Sequence, residues 1–175
     1  LYGGTSGCLA FLGVTPVRDE ISSTRCEILS NKAAELIKKH SIKDLIIFGR
    51  WSYYTGPSSI SQKWQPITNS ETRDVDQEHS RIVFQTQFDE TIEYYKNLGV
   101  NVTIVKQVPY QTFTPTDAQF RAALYDVNIN SFAVSLKNHH DHQKYPDSVF
   151  DANDYINTIS TDHLFCANNS TCIQF

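Results

Sequence analysis

The sequence contains no methionine at all, and it opens on Leu1-Tyr2-Gly3-Gly4 without anything that reads as a secretory leader. Both ends are therefore expected to be the ends of a fragment of a longer chain. No apolar run approaches the ~18–20 residues that carry a helix across a bilayer. Excess positive charge is lacking too. Fifteen Lys and Arg face nineteen Asp and Glu, for a net charge of −4, and no basic cluster offsets that balance. Nucleic acid is not an expected partner. There is no glycine-rich phosphate loop and no dinucleotide motif, so no nucleotide cofactor is expected. No Cys-x2-Cys pair occurs, which removes the usual zinc-ribbon spacing.

What is present suits a globular domain. The chain has 175 residues, of which 40% are hydrophobic and 19% charged. That is enough to bury a core as one domain spanning 1–175, incomplete at both ends on the reading above. The four cysteines are Cys8, Cys26, Cys166 and Cys172. They form two sequence-local pairs, and "CANNSTC" would close a small polar loop. Cys8–Cys26 and Cys166–Cys172 are the expected disulfides, which points to an oxidising compartment. Four free thiols in a cytosolic protein are the alternative.

Periodicity sketches the elements. "SSTRCEILSNKAAELIKKHS" carries Ile28, Ala33, Leu36 and Ile37 at helical spacing, with Ser and Thr at its start and Lys38, Lys39 and His40 at its end. "DLIIF" (44–48) is a continuous apolar run, as in a strand covered on both faces. Residues 53–78 show no periodicity and read as a long loop. In "SRIVFQTQFDETIEYYKNLGV", Phe84, Phe88, Ile92, Tyr95 and Leu98 form one stripe, and Gly99 suits the position after a helix end. "NVTIV" and "DYINTIS" read as further strands. "AQFRAALYDV" and the segment around "KNHHDHQKYPDSVF" read as further helices, the latter with a boundary near Pro146. Helices alternating with apolar strands predict an α/β fold, a three-layer α/β/α sandwich around a mainly parallel sheet.

In such a sheet, ligands bind beyond the carboxyl ends of the strands. "DLIIF" runs straight into Gly49-Arg50-Trp51, so Arg50 and Trp51 are the candidate substrate-binding residues. Arg50 can hold an anionic or carbonyl oxygen, and Trp51 can stack on a sugar or wall off an acyl group. A Trp packed under a loop and an Arg paired with a nearby acid is the competing account.

Taken in order, "SGCLAFLGV", "STRCEIL", "LIIFGRWSYY", "NVTIVKQVPYQTF", "KNHHDHQ" and "YINTISTDHLFCANNSTCIQF" resemble the extracytoplasmic SGNH domain fused to acyltransferase-3-type membrane proteins. The resemblance covers nearly the whole chain. It implies an SGNH-hydrolase-like α/β/α fold in a parent protein that is a bacterial envelope O-acyltransferase. Such proteins pass an acetyl group through a serine ester to a glycan such as lipopolysaccharide or peptidoglycan. The implied partners are an acyltransferase-3-type membrane domain of the same parent chain and a glycan acceptor. The implied location is the periplasmic or extracellular face, tethered through a transmembrane domain that lies outside this chain.

The departures from that family concern its Ser-His-Asp machinery. A Gly-Asp-Ser-His motif is expected ahead of the first cysteine. The nearest string is "GGTSG", with Thr5 in place of the Asp, Gly7 in place of the His, and Ser6 two residues before Cys8. The family's Asp-x-x-His follows the late cysteine pair, whereas Asp162 and His163 precede it and are adjacent. Ser6, Asp162 and His163 are thus weak catalytic candidates. Adjacent residues on a strand would face opposite ways, so Asp162 is not expected to orient His163. Two readings stay open: the interior of an SGNH domain without its catalytic blocks, or a relative that binds glycan without catalysis. An unrelated α/β protein is a third. On the first two readings the 175-residue chain is expected not to hydrolyse an activated acetyl ester above background. Robust turnover lost in Ser6→Ala would overturn that.

Other strings carry less chemistry. His139 and His142 could share a helix face, but no further zinc ligand is nominated, and solvated polarity is the expected role. No metal site is expected. Asp74, Asp76 and Glu78 lack the Gly and Glu that a calcium loop requires. Asn101, Asn168 and Asn169 stand in N-glycosylation sequons, which matter only in a secreted eukaryotic chain.

Overall fold

A computed structural model describes residues 7–17, 20–56, 64–70, 75–167 and 170–172. The sheet at its centre has three parallel strands in the order β2 (Asp44–Phe48), β4 (Asn101–Val105), β5 (Asn157–Ile159). Helices α1 (Glu20–Lys39), α3 (Gln77–Asn97) and α5 (Leu136–Asp151) each precede one of these strands. This is an α/β fold with a parallel sheet, as the alternation predicts. A two-stranded ribbon pairs β1 (Thr15–Pro16) with β3 (Ile67–Thr68). Helix α2 (Trp51–Thr55) follows β2, and α4 (Pro115–Tyr125) follows β4. After β5 come the short α6 (Asp162–Phe165) and an antiparallel hairpin of β6 (Cys166–Ala167) and β7 (Thr171–Cys172).

The core lies between the sheet and the helices. Strand side chains alternate between faces, and Ile47, Val102 and Ile104 point inward. They meet Phe84, Phe88, Ile92 and Tyr95 of α3 and Val149 and Phe150 of α5. Asp76 caps α3 by accepting from the His79 backbone N–H at 2.9 Å. Gly99, at φ +66°, lets the chain turn from α3 into β4 where a side chain would be strained.

Four expectations change in detail. "DLIIF" is an edge strand among the described residues, with β4 in the middle. Its outward residues Ile46 and Phe48 are 63% and 64% exposed. The buried stripe of α1 is Cys26, Ser30, Ala34 and Ile37, not the Ile28 and Leu36 side, which faces out. Cys26 sets that rotation, because its disulfide to Cys8 must meet the segment that carries Leu9 and Phe11 into the core. Pro146 lies inside α5 rather than at its boundary. It forfeits one backbone hydrogen bond and is buried on the packed face of the helix. Finally, 53–78 is not one loop. Tyr53–Thr55 complete α2, Ile67–Thr68 form β3, and α3 begins at Gln77.

Both cysteine pairs are bridged, Cys8 to Cys26 and Cys166 to Cys172. Among the described residues, no helix is long and apolar enough to cross a membrane.

Candidate functional site at the carboxyl edge of the sheet

Three strand exits converge at one edge: Gly49–Trp51 after β2, Lys106–Val108 after β4, and Ser160–Asp162 after β5. A cavity of about 650 Å³ opens there, lined by Phe48, Arg50, Tyr53, Lys106, Gln107, Val108 and the Gly7–Ala10 segment. That size falls in the range of small-ligand pockets.

Arg50 and Trp51 part company at this edge. Trp51 is wholly buried. Its ring stacks on Phe11 at 5.8 Å and meets Phe150 edge-on at 5.2 Å, and its indole N–H donates to the Val105 carbonyl at 2.9 Å. It forms the cavity floor from within the core and presents no open face. Arg50 is exposed at the rim. Its guanidinium carbon lies 4.8 Å from the Tyr53 ring centre and 5.2 Å from that of Tyr110. Tyr110 in turn stacks on His142 at 6.3 Å. Burial, and secondarily the Arg50 charge, hold the His142 imidazole below its ordinary pKa. Gln107 is buried beneath and accepts from both the backbone N–H and the hydroxyl of Ser52. Nothing in the local sequence pairs Tyr110 or His142 with Arg50, since the loop after β4 and helix α5 bring them there from far along the chain.

The Asp162 candidate has a different partner from the one its neighbour suggests. His163 is exposed, while Asp162 lies 2.8 Å from His140 Nε2 and 3.3 Å from His139 Nε2. The short helix α6 turns Asp162 toward α5, so the opposite-facing arrangement of a strand does not apply here. Burial raises the Asp162 pKa, but hydrogen bonds with His140 and Ser160 outweigh it, and the net shift is downward. His139 is only 3% exposed, so the histidine cluster is not simply a solvated face. Burial lowers its pKa against the pull of Asp162. Ser6 and Asp74 lie outside the described residues. Among the described residues, no group of three or more His, Cys, Asp or Glu is arranged to hold a metal.

Beside this pair α5 carries further buried polarity. The side-chain polar atoms of Gln143 and Thr161, His139 Nδ1 and Asp147 Oδ1 have no hydrogen-bond partner among the described residues. A buried polar atom without a partner costs free energy, and ordered water is the usual remedy. Asp147 has a second opponent in solvation. Its side chain is 24% exposed, and burial pushes its pKa up from 3.8 to about 6, with Lys106 at 3.9 Å opposing. Asp151, Asp162 and His140 complete its charged surroundings. The folded state thus holds this proton more tightly than the unfolded chain. Stability contributed by the protonated form is full below about pH 4 and is lost as pH rises to about 6. The change is roughly 2–3 kcal/mol. Asp147→Asn is expected to be more stable than the native protein at pH 7, with the difference shrinking towards pH 4. Denaturant melts at pH 4, 5, 6 and 7 measure it, and a pH-independent difference would contradict the assignment.

A family model described as "SGNH domain (fused to AT3 domains)" matches residues 1–175. No curated protein and no solved structure is significantly similar to the chain.

Proposed function

The chain belongs to the SGNH domain family that is fused to AT3 domains, and from that membership we propose that it serves O-acyl transfer to a cell-envelope glycan. Its fold is the SGNH-hydrolase-like α/β fold, and it is an SGNH domain of an acyltransferase-type protein. On this reading residues 1–175 form one domain on the extracytoplasmic side, tethered through the AT3 membrane domain of the parent. The two disulfides fit an oxidising compartment. The membrane domain supplies the acyl group, a serine carries it as an ester, and a sugar hydroxyl receives it. An oxyanion hole must stabilise the charge that develops on the carbonyl oxygen. We assign the nucleophile to no described residue.

The observation that carries the reading is the cavity at the carboxyl edge with Arg50 at its rim. Arg50 positions the acceptor there, and Trp51 shapes the floor without touching it. In the parent protein, Arg50→Ala is expected to lower acyl transfer at least tenfold. That corresponds to the loss of one charge-assisted hydrogen bond, about 1.5–3 kcal/mol. The melting temperature should stay near that of the native protein, because the side chain is exposed. Full transfer by a folded Arg50→Ala variant would overturn the reading.

A further inference from the structure

Among the described residues, Arg50 is held by aromatic rings and pairs with no acid. The other cations of the region are already engaged. Lys106 lies 2.9 Å from Asp151, and Arg81 donates its Nε–H to the Thr55 carbonyl at 3.0 Å. Among the described residues, the Arg50 guanidinium lies over two tyrosine rings, one from α2 and one from the loop after β4. Rings on a guanidinium engage its faces and leave its edge N–H groups for a ligand. They also restrict the side chain before any ligand arrives, so less rotamer entropy is lost on binding.

The surroundings define what that edge would meet. The neighbouring imidazole of His142 is held towards its neutral form by burial and by Arg50 itself. Lys106, also on the lining, is paired with Asp151, so Arg50 is the cation the rim offers to an anionic group. Two apolar side chains lie beside it on the cavity lining, the exposed Phe48 and Val108. An exposed aromatic side chain on the same cavity lining as a cation suits a sugar ring that carries a charged substituent. The ring's C–H face lies on the aromatic side chain, and the substituent reaches the guanidinium.

Resting on the acceptor-site reading above, we propose that this subsite selects an anionic sugar residue, its carboxylate on the Arg50 fork and its ring against Phe48. A planar carboxylate matches the two parallel N–H groups of arginine, which a lysine could not offer in the same geometry. A sugar phosphate would present a larger charge, about −1.5 to −2 at neutral pH, from a longer arm, and the test separates the two.

Binding of methyl β-glucuronide, methyl β-glucoside and glucose 6-phosphate to the protein, followed by NMR titration, decides the matter. The glucuronide is expected to bind at least tenfold tighter than the glucoside and tighter than the phosphate. In Arg50→Gln the preference over the glucoside should fall to near unity. Phe48→Ala should weaken glucuronide and glucoside alike, and a thermal melt of each variant verifies folding. Equal binding of the two glycosides, absence of binding by all three, or a preference that survives in folded Arg50→Gln overturns the proposal. Tighter binding of the phosphate overturns the carboxylate assignment. If glucuronide preference holds while the folded parent Arg50→Ala transfers acyl groups at the native rate, the acyltransferase role of the site fails and the anionic subsite stands.

Discussion

Trp51→Ala is expected to remove about 3–5 kcal/mol of stability, a large share of the roughly 5–15 kcal/mol that holds a domain folded. The ring has no exposed surface. It stacks on Phe11, meets Phe150 and Phe84 edge-on, and donates its indole N–H to the last residue of β4. It thereby ties the amino-terminal segment, α3, α5 and the sheet together at one point. A Cβ on Gly49 would approach the Trp51 ring to 3.2 Å, so the ring is packed tightly against the backbone at the end of β2. Trp51→Phe separates the two contributions. It keeps most of the apolar volume and loses the hydrogen bond, leaving the Val105 carbonyl short of a partner, at a cost of about 1–3 kcal/mol. Denaturant unfolding measures both. An alanine variant within 1 kcal/mol of the native protein would show that the ring is not the keystone its contacts describe.

The same tripeptide shows how far local sequence carries. Position after an apolar strand placed Gly49-Arg50-Trp51 at the carboxyl edge of the sheet, and the strand exits do meet there. It could not say which of two adjacent large side chains turns inward. That depends on α2, a helix of only five residues, too short for any period to register. The long stripe of α3 was legible because five apolar residues repeat on one face over its length. The α1 stripe was misjudged because Ile28 and Leu36 satisfy the same period as Cys26, Ala34 and Ile37, and only the disulfide decides between them. Hydrophobic pattern therefore located elements well and rotated one of them wrongly.

Long-range polar contacts were the least legible. Asp162 sits next to His163 in sequence, yet it meets His139 and His140, more than twenty residues away. The short turn of α6 creates that contact, and "TDHLF" looks equally fit for a strand. Tyr110 reached Arg50 because the chain after β4 runs along the edge where β2 ends. A continuous apolar run predicted that β2 would be covered on both faces, but one face carries exposed Ile46 and Phe48 among the described residues. Apolar content reports what a strand could bury. It does not report which segment does the covering.

Loss of the Cys8–Cys26 bridge is expected to cost about 3 kcal/mol, against about 2 kcal/mol for Cys166–Cys172. The estimate follows from chain entropy, since the bridges close sequence separations of 18 and 6. Packing sharpens the contrast. Cys26 is buried on the inner face of α1, and the segment after Cys8 delivers Leu9, Phe11 and Val14 to the core. Phe11 lies against Trp51, Phe84 and Phe88, so freeing this segment loosens the aromatic cluster directly. The Cys166–Cys172 bridge instead closes a small hairpin that is also held by the β6–β7 pairing and by the bonds of β7 to Val134 and Ser135. Its removal leaves those backbone contacts in place. The paired alanine variants Cys8→Ala/Cys26→Ala and Cys166→Ala/Cys172→Ala, unfolded by urea under oxidising conditions, give the comparison. The first pair should show the larger fall in midpoint and should also enlarge the cavity at Arg50, because Cys8 and Leu9 line it. A larger loss from the hairpin pair would mean that the amino-terminal segment is held by its apolar contacts alone, with the bridge adding nothing to them.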